Sequence, residues 1–145
     1  MRNFSIDLIW AKIQIAAAAL GGWLGYFMGG LDGLLFALLV FMALDYLTGL
    51  MCAIVDKKLS SAVGFRGIFK KVCILLLVGL ANIVDLYIVC DSSALRGAVV
   101  CFYLANEGLS LLENTAHIGL PVPEKLKEAL AQLHNRDKKE NTNDR

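Results

Sequence analysis

The sequence has none of the residue groupings on which enzymes are built. No phosphate-binding or metalloprotease motif occurs in its 145 residues, and the two histidines, His117 and His134, stand apart in the tail with no nucleophile beside them. The four cysteines, Cys52, Cys73, Cys90 and Cys101, show no CxxC spacing, and each lies in an apolar run. They read as small buried hydrophobes, not as a disulfide framework or metal site. Charge is also scarce: 19% of residues are charged against 57% hydrophobic, and the mean hydropathy is +0.61. A soluble domain of this length cannot bury that much apolar surface in one core, so lipid must be the solvent. No catalytic residue, cofactor or metal is expected.

A hydrocarbon core near 30 Å requires roughly 20 apolar residues in a helix. Four segments meet this, from about Ile13 to Met28, Leu34 to Val55, Val72 to Cys90 and Ala94 to Leu112. The expected fold is therefore an all-α integral membrane protein of about four transmembrane helices. Short turns pair the helices into two hairpins, with Gly29, Gly30, Asp32 and Gly33 at one tip and Asp91, Ser92 and Ser93 at the other. Ala16 to Ala19 loosely suggest a cleavage region, but Asp7 and Lys12 interrupt the stretch before them and hydrophobicity resumes beyond, so the first segment reads as a span.

Lysine and arginine accumulate on the cytoplasmic side of membrane proteins. Arg2 and Lys12 precede the first span, Lys57, Lys58, Arg66, Lys70 and Lys71 lie between the second and third, and six more follow the fourth. With four spans all these groups share one face and only Arg96 falls opposite, which predicts both termini in the cytoplasm. Pro121 and Pro123 end the last helix, and Pro123 can start another through Glu124 to Leu133. Leu126, Ala129, Leu130 and Leu133 share one face of it, a pattern suited to the membrane surface or to a neighbour. Residues 1–112 thus form a transmembrane domain, 113–134 a cytoplasmic amphipathic segment, and 135–145 a polar tail expected to be disordered.

Three groups of residues are candidates for function. In the first helix Ala17, Gly21, Gly25 and Gly29 recur every four residues and line one face with small side chains, a packing face toward either the second helix or another subunit. The second group is polar and intramembrane, where an ionisable residue at a helix centre costs about 2.5 to 3.5 kcal/mol. Arg96, Tyr103, Glu107, Ser110 and Asn114 fall on one face of the fourth helix. Counting the helical rise sets Asp45, Asn82 and Glu107 near mid-membrane, and Asp85 and Arg96 nearer the outer surface as a possible pair. These groups either satisfy one another in a static bundle or face water once subunits assemble. The third group is the basic loop from Asp56 to Lys71 with Phe65, Ile68 and Phe69 interleaved, which attracts anionic headgroups at the membrane surface. Nucleic acid is not an expected partner, because the loop is short and flanked by spans.

Asp45-Tyr46-Leu47-Thr48-Gly49, then Lys57-Lys58, Ser60-Ser61, Gly64, Gly67 and Lys70-Lys71, resembles the phage holin family that includes clostridial toxin-secretion holins. Glu107 through Asn114, followed by Gly119-Leu120-Pro121-Val122-Pro123 and Leu126-Lys127, is similar to that family's C-terminal signature. The resemblance covers roughly Asp45 to Leu133. It implies a homo-oligomer in the bacterial cytoplasmic membrane that opens lesions releasing a cell-wall hydrolase (an endolysin) or a toxin, with no need to bind either directly. Two alternatives stand beside it. One is an antiholin of the same fold. The other is a small four-helix transporter, against which counts the lack of anything resembling an inverted repeat.

Overall fold

The computed structural model describes residues 4–90, 93–130 and 132. Its elements are α1 (Phe4–Phe27), α2 (Gly33–Val55), α3 (Ser61–Val84), which continues through a π-helical turn at Asp85–Val89, and α4 (Ala94–His117). Residues 124–130 add a short helix. All four long helices are long and apolar enough to cross a membrane. The described residues are helices and turns throughout, so the all-helical, four-span expectation holds. The second tip's Asp91 and Ser92, and Leu133, His134 and the tail from 135, lie outside the described residues.

Local chemistry sets the helix ends. Asp32 caps α2 by accepting from the Leu35 N–H at 2.8 Å, and Ser60 caps α3 by accepting from Val63 N–H at 3.3 Å. The first helix stops at Phe27 because Gly29 and Gly30 both take positive φ, 82° and 89°. At the end of α4, Gly119 has φ 95°, its N–H reaches the Ala116 carbonyl at 2.9 Å, and Leu120 N–H reaches Thr115 at 3.2 Å. This is a Schellman stop placed ahead of the two prolines.

The third span differs from its expected bounds. The basic stretch is not a loop up to Lys71: α3 begins at Ser61, so Arg66, Lys70 and Lys71 ride on its first three turns and only Asp56–Ser60 connects α2 to α3. The serine cap and the absence of any breaker before Val72 let the helix start eleven residues early.

Helices α2 and α4 run side by side with α3 against them, while among the described residues α1 packs against α3 alone. Leu35, Leu38, Met42, Ile74, Val78 and Val100 form the buried core. The short helix after Pro123 folds back onto its own chain: Leu130 is buried and its methyls occupy the space beside Gly108, together with the Phe41 ring. Glycine at 108 is what permits that approach. Of the amphipathic face only Leu130 docks in this way, while Leu126 and Ala129 stay exposed.

Candidate functional site

Polar side chains collect at two levels, one on each side of the apolar core. The first level lies ten residues below Leu35 on α2. There the Lys71 ammonium of α3 donates to Asp45 of α2 and to Glu107 of α4, so a single cation ties three helices together. Lys70 stands 3.6 Å from the other oxygen of Glu107, which accepts no hydrogen bond. Glu107 is fully buried, whereas Lys70 is mostly exposed. Asn114 extends the network by donating to Asp45 Oδ1 and to Thr48 Oγ1, both at 3.2 Å. Beside it is a cavity of about 210 Å³ bordered by Asp45, Tyr46, Lys70, Lys71, Ser110 and Asn114.

Magnitudes show why the network must be complete. Inserting each of three charged side chains costs about 3 kcal/mol, and two charges in contact gain on the order of 4 kcal/mol at an effective dielectric near 20. Two contacts by Lys71 therefore roughly offset three insertions, and losing Lys71 leaves two buried carboxylates without their shared partner. Counted formally, Asp45, Glu107, Lys70 and Lys71 sum to zero.

The second level closes the hairpin tips. Arg96 is 4% exposed, and its guanidinium donates to the carbonyls of Met28 (2.6 Å) and Gly30 (3.0 Å) and to Asp32 (2.6 Å). Asp32 thus caps α2 with one oxygen and holds Arg96 with the other, and the arginine keeps its carboxyl below the usual carboxylate range. Asp85 does not pair with the guanidinium. It accepts from the backbone N–H of Leu95 (3.2 Å) and Arg96 (2.7 Å), capping α4 where Ser93 makes no side-chain cap. Asn82 donates to the Phe27 carbonyl at 3.1 Å and lies beside Gly29 and Arg96. It therefore belongs to the tip, not to mid-membrane with Asp45 and Glu107: with the third span running Ser61–Val89, its middle falls near Leu75.

Of the remaining polar candidates, Ser110 borders the cavity and Tyr103 packs against the apolar core. Beyond the first level, His117 Nε2 lies 2.9 Å from Asp56 Oδ1, joining the ends of α4 and α2. This contact holds Asp56 below the ordinary carboxylate range. Lys57 and Lys58 lie exposed beside it. Cys73 and Cys90 are exposed instead of buried, and all four cysteines are free. Among the described residues no cluster of His, Cys, Asp or Glu could hold a metal ion.

The small-residue face of α1 stays open. A side chain built at Gly21, Gly22 or Gly25 would meet nothing within 4 Å, and Ala17 is exposed. The neighbour of that face is not the second helix. Gly29 leaves the stripe: it lies past the helix end, and a Cβ there would collide with Asn82 and with Arg96 Nε at 2.8 Å. Among the described residues α1 is anchored at its tip end, with the Phe27 ring filling the notch over Gly79.

The sequence model of the bacteriophage holin family matches residues 22–135. An uncharacterized 14.9 kDa protein of the nagH 3' region of Clostridium perfringens is 42% identical over 124 residues, covering 86% of this chain and 94% of that protein. An uncharacterized protein of Listeria monocytogenes is 42% identical over 115 residues, 79% of this chain and 81% of that one. A probable holin of Bacillus phage phi105 is 38% identical over 112 residues, 77% of this chain and 76% of that one. No solved structure matches the chain.

Proposed function

The chain belongs to the bacteriophage holin family, and from that premise we propose that it accumulates in the bacterial cytoplasmic membrane, oligomerises, and opens lesions through which a cell-wall hydrolase or a toxin escapes. The observation that carries this reading is the division of labour between helices. Three helices hide their charges from lipid by bonding them to one another, while a fourth offers a bare glycine face.

A monomer so built presents an apolar exterior and is tolerated by the membrane. Subunits meet along Ala17, Gly21 and Gly25, where backbones can approach closely. Asp45 and Glu107 then exchange their internal partners for water along the lesion, with Ser110 beside them at the cavity, and the Lys71 bridge is the contact that has to give way. Asn82, Asp85 and Arg96 keep the tip joint closed and line nothing. Both termini face the cytoplasm, a reading supported by the lysines and arginines that gather at the α2–α3 connection and beyond α4.

Inducible expression in a bacterium tests this, following membrane potential and viability with and without a cytoplasmic endolysin that has no export signal. Abrupt depolarisation, with lysis only when the endolysin is present, is expected. Intact potential together with delayed lysis by a co-expressed holin would assign the chain as an antiholin. Saturable, proton-coupled efflux across an intact membrane would assign it as a transporter.

A further inference from the structure

Lys70 carries its charge at a depth where lipid offers no partner. Its side chain is 59% exposed, yet its ammonium stands 3.6 Å from Glu107 Oε1, which is buried and accepts no hydrogen bond. With the middle of the third span near Leu75, Lys70 leaves α3 five residues from it, about 8 Å at 1.5 Å per residue. That is well inside a hydrocarbon half-thickness of about 15 Å. An ammonium both charged and exposed there needs water beside it.

Two hydroxyls have the same need. Tyr46 and Ser110 are half-buried, and neither side chain makes a hydrogen bond among the described residues. Lys70, Tyr46 and Ser110 all border the cavity of about 210 Å³ beneath Asp45 and Lys71, a space that holds several waters. The Tyr46 ring keeps it open. That ring lies over Gly67 and its hydroxyl over Gly64, so α3 leans on α2 through a side chain, and no residue of α3 before Ile74 is fully buried.

The lining also runs in one direction. Every residue of it lies on the Asp56–Ser60 side of the middle of its own helix, from Asp45 beside the midpoint of α2 to Val63 on α3. Val63 is twelve residues from Leu75, about 18 Å, which reaches the headgroup layer. On the opposite side Leu35, Leu38, Met42, Ile74, Val78 and Val100 close the bundle.

We propose that this cavity is a vestibule filled with water from the side of the Asp56–Ser60 connection. Each subunit thereby brings solvent to Lys70, Lys71 and Asp45 without any breach of the bilayer, and the vestibule ends blind at the apolar core. The barrier to ions within a subunit is then confined to about the far half of the membrane. The vestibule rests on the membrane-spanning fold and not on lesion formation.

The test uses the full chain with its four cysteines replaced and single cysteines introduced, expressed at low level in a bacterium. A charged, membrane-impermeant thiol reagent is applied to spheroplasts and to inverted membrane vesicles, and Lys58→Cys reports which preparation exposes the connection. Ser110→Cys is expected to react in that preparation only. It should react about tenfold faster than Met51→Cys, because a thiol in lipid stays protonated and only the thiolate reacts. Met51 is nearer the surface than Ser110 but lies on the outward face of α2 with Leu44 and Leu47, so depth alone predicts the reverse order. Gly49→Ala and Gly49→Leu grow into the cavity, where a Cβ meets only Asn114 Nδ2 at 3.7 Å, and should slow Ser110→Cys in that order. Leu38→Cys, in the core, should stay silent throughout. Ser110→Cys reacting no faster than Met51→Cys, reacting from the opposite side, or keeping its rate when Gly49 is filled would overturn the vestibule, and reaction at Leu38→Cys would overturn its blind end. A lesion admits reagent to Lys58→Cys in both preparations, so the vestibule and the lesion-forming reading succeed or fail separately.

Discussion

Helices α1 and α4 are each 24 residues long and nearly equal in hydropathy, yet a third of α4's most apolar stretch is buried in the bundle and none of α1's is. The difference lies in the few polar residues. Arg96, Glu107 and Asn114 each find partners on other helices, and those partners fix where α4 packs. The described part of α1 has Asp7, Lys12 and Gln14 near its start, none of them bonded to another helix among the described residues, and alanines and glycines beyond, so no polar contact fixes which face turns to the bundle. Apolarity puts a helix into the membrane, but lipid tails are as apolar as leucine, so it does not say where the helix goes. In this chain position is specified by hydrogen bonds and by notches such as Gly79.

The sharpest way to break the comparison is to remove the cation that holds the bundle. Lys71→Met leaves Asp45 and Glu107 buried without their shared partner and should destabilise the fold by about 3 to 5 kcal/mol, read as thermal unfolding of purified protein in detergent. Adding Glu107→Gln to Lys71→Met restores the charge count and should recover much of that loss. If the single variant melted like wild type, the bridge would have no part in holding the bundle.

Next come two glycines that look alike in the sequence and differ in the fold. Gly79→Leu drives a side chain into the Phe27 ring and should cost about 1 to 3 kcal/mol through overpacking, detaching α1 as judged by a fluorescence-quenching pair between its end and α3. Gly25→Leu meets open space and should leave melting within about 0.5 kcal/mol while abolishing lysis at equal membrane levels. Wild-type lysis timing in Gly25→Leu would break the link between the open face and assembly.

The smallest effect belongs to Asp32, whose side chain is about half exposed. Its carboxyl is held below its ordinary value of 3.8 in the fold, so the unfolded chain takes up a proton first as pH falls. The stabilisation is complete above about pH 4 and disappears as pH drops through the lowered value. Asp32→Asn should therefore cost under about 1 kcal/mol at neutral pH, and wild type and variant should converge in melts carried into strong acid.

The four spans were legible because long apolar runs and short Gly/Ser turns leave few alternatives, and the polar face of α4 was legible from its spacing. Lys71 was not. Five basic residues within fifteen positions read as a loop at the membrane surface, and that density concealed a helix. Yet the buried stripe of α3, Asp85, Asn82, Val78 and Ile74, steps back by three and four residues onto Lys71, which is the signal that would have found it. Misplacing the start of α3 also carried Asn82 to the wrong depth. Gly29 was counted into the α1 stripe although Gly30 beside it already marked a turn, and spacing alone cannot show where a helix stops. What the α1 glycines face was left open by the sequence, since a groove of small residues suits an intramolecular and an intermolecular neighbour equally well. The monomer leaves it uncovered.

On the proposed function, subunits assemble through that uncovered face before the membrane opens. Disulfide trapping in living cells tests it most directly, using a chain with its four cysteines replaced and a single cysteine at Gly21, against a control at Trp23 on another face of α1. The account predicts crosslinked dimers from Gly21→Cys before depolarisation begins and few from Trp23→Cys. Equal crosslinking at both positions, or depolarisation with no crosslinking at Gly21→Cys, would contradict it.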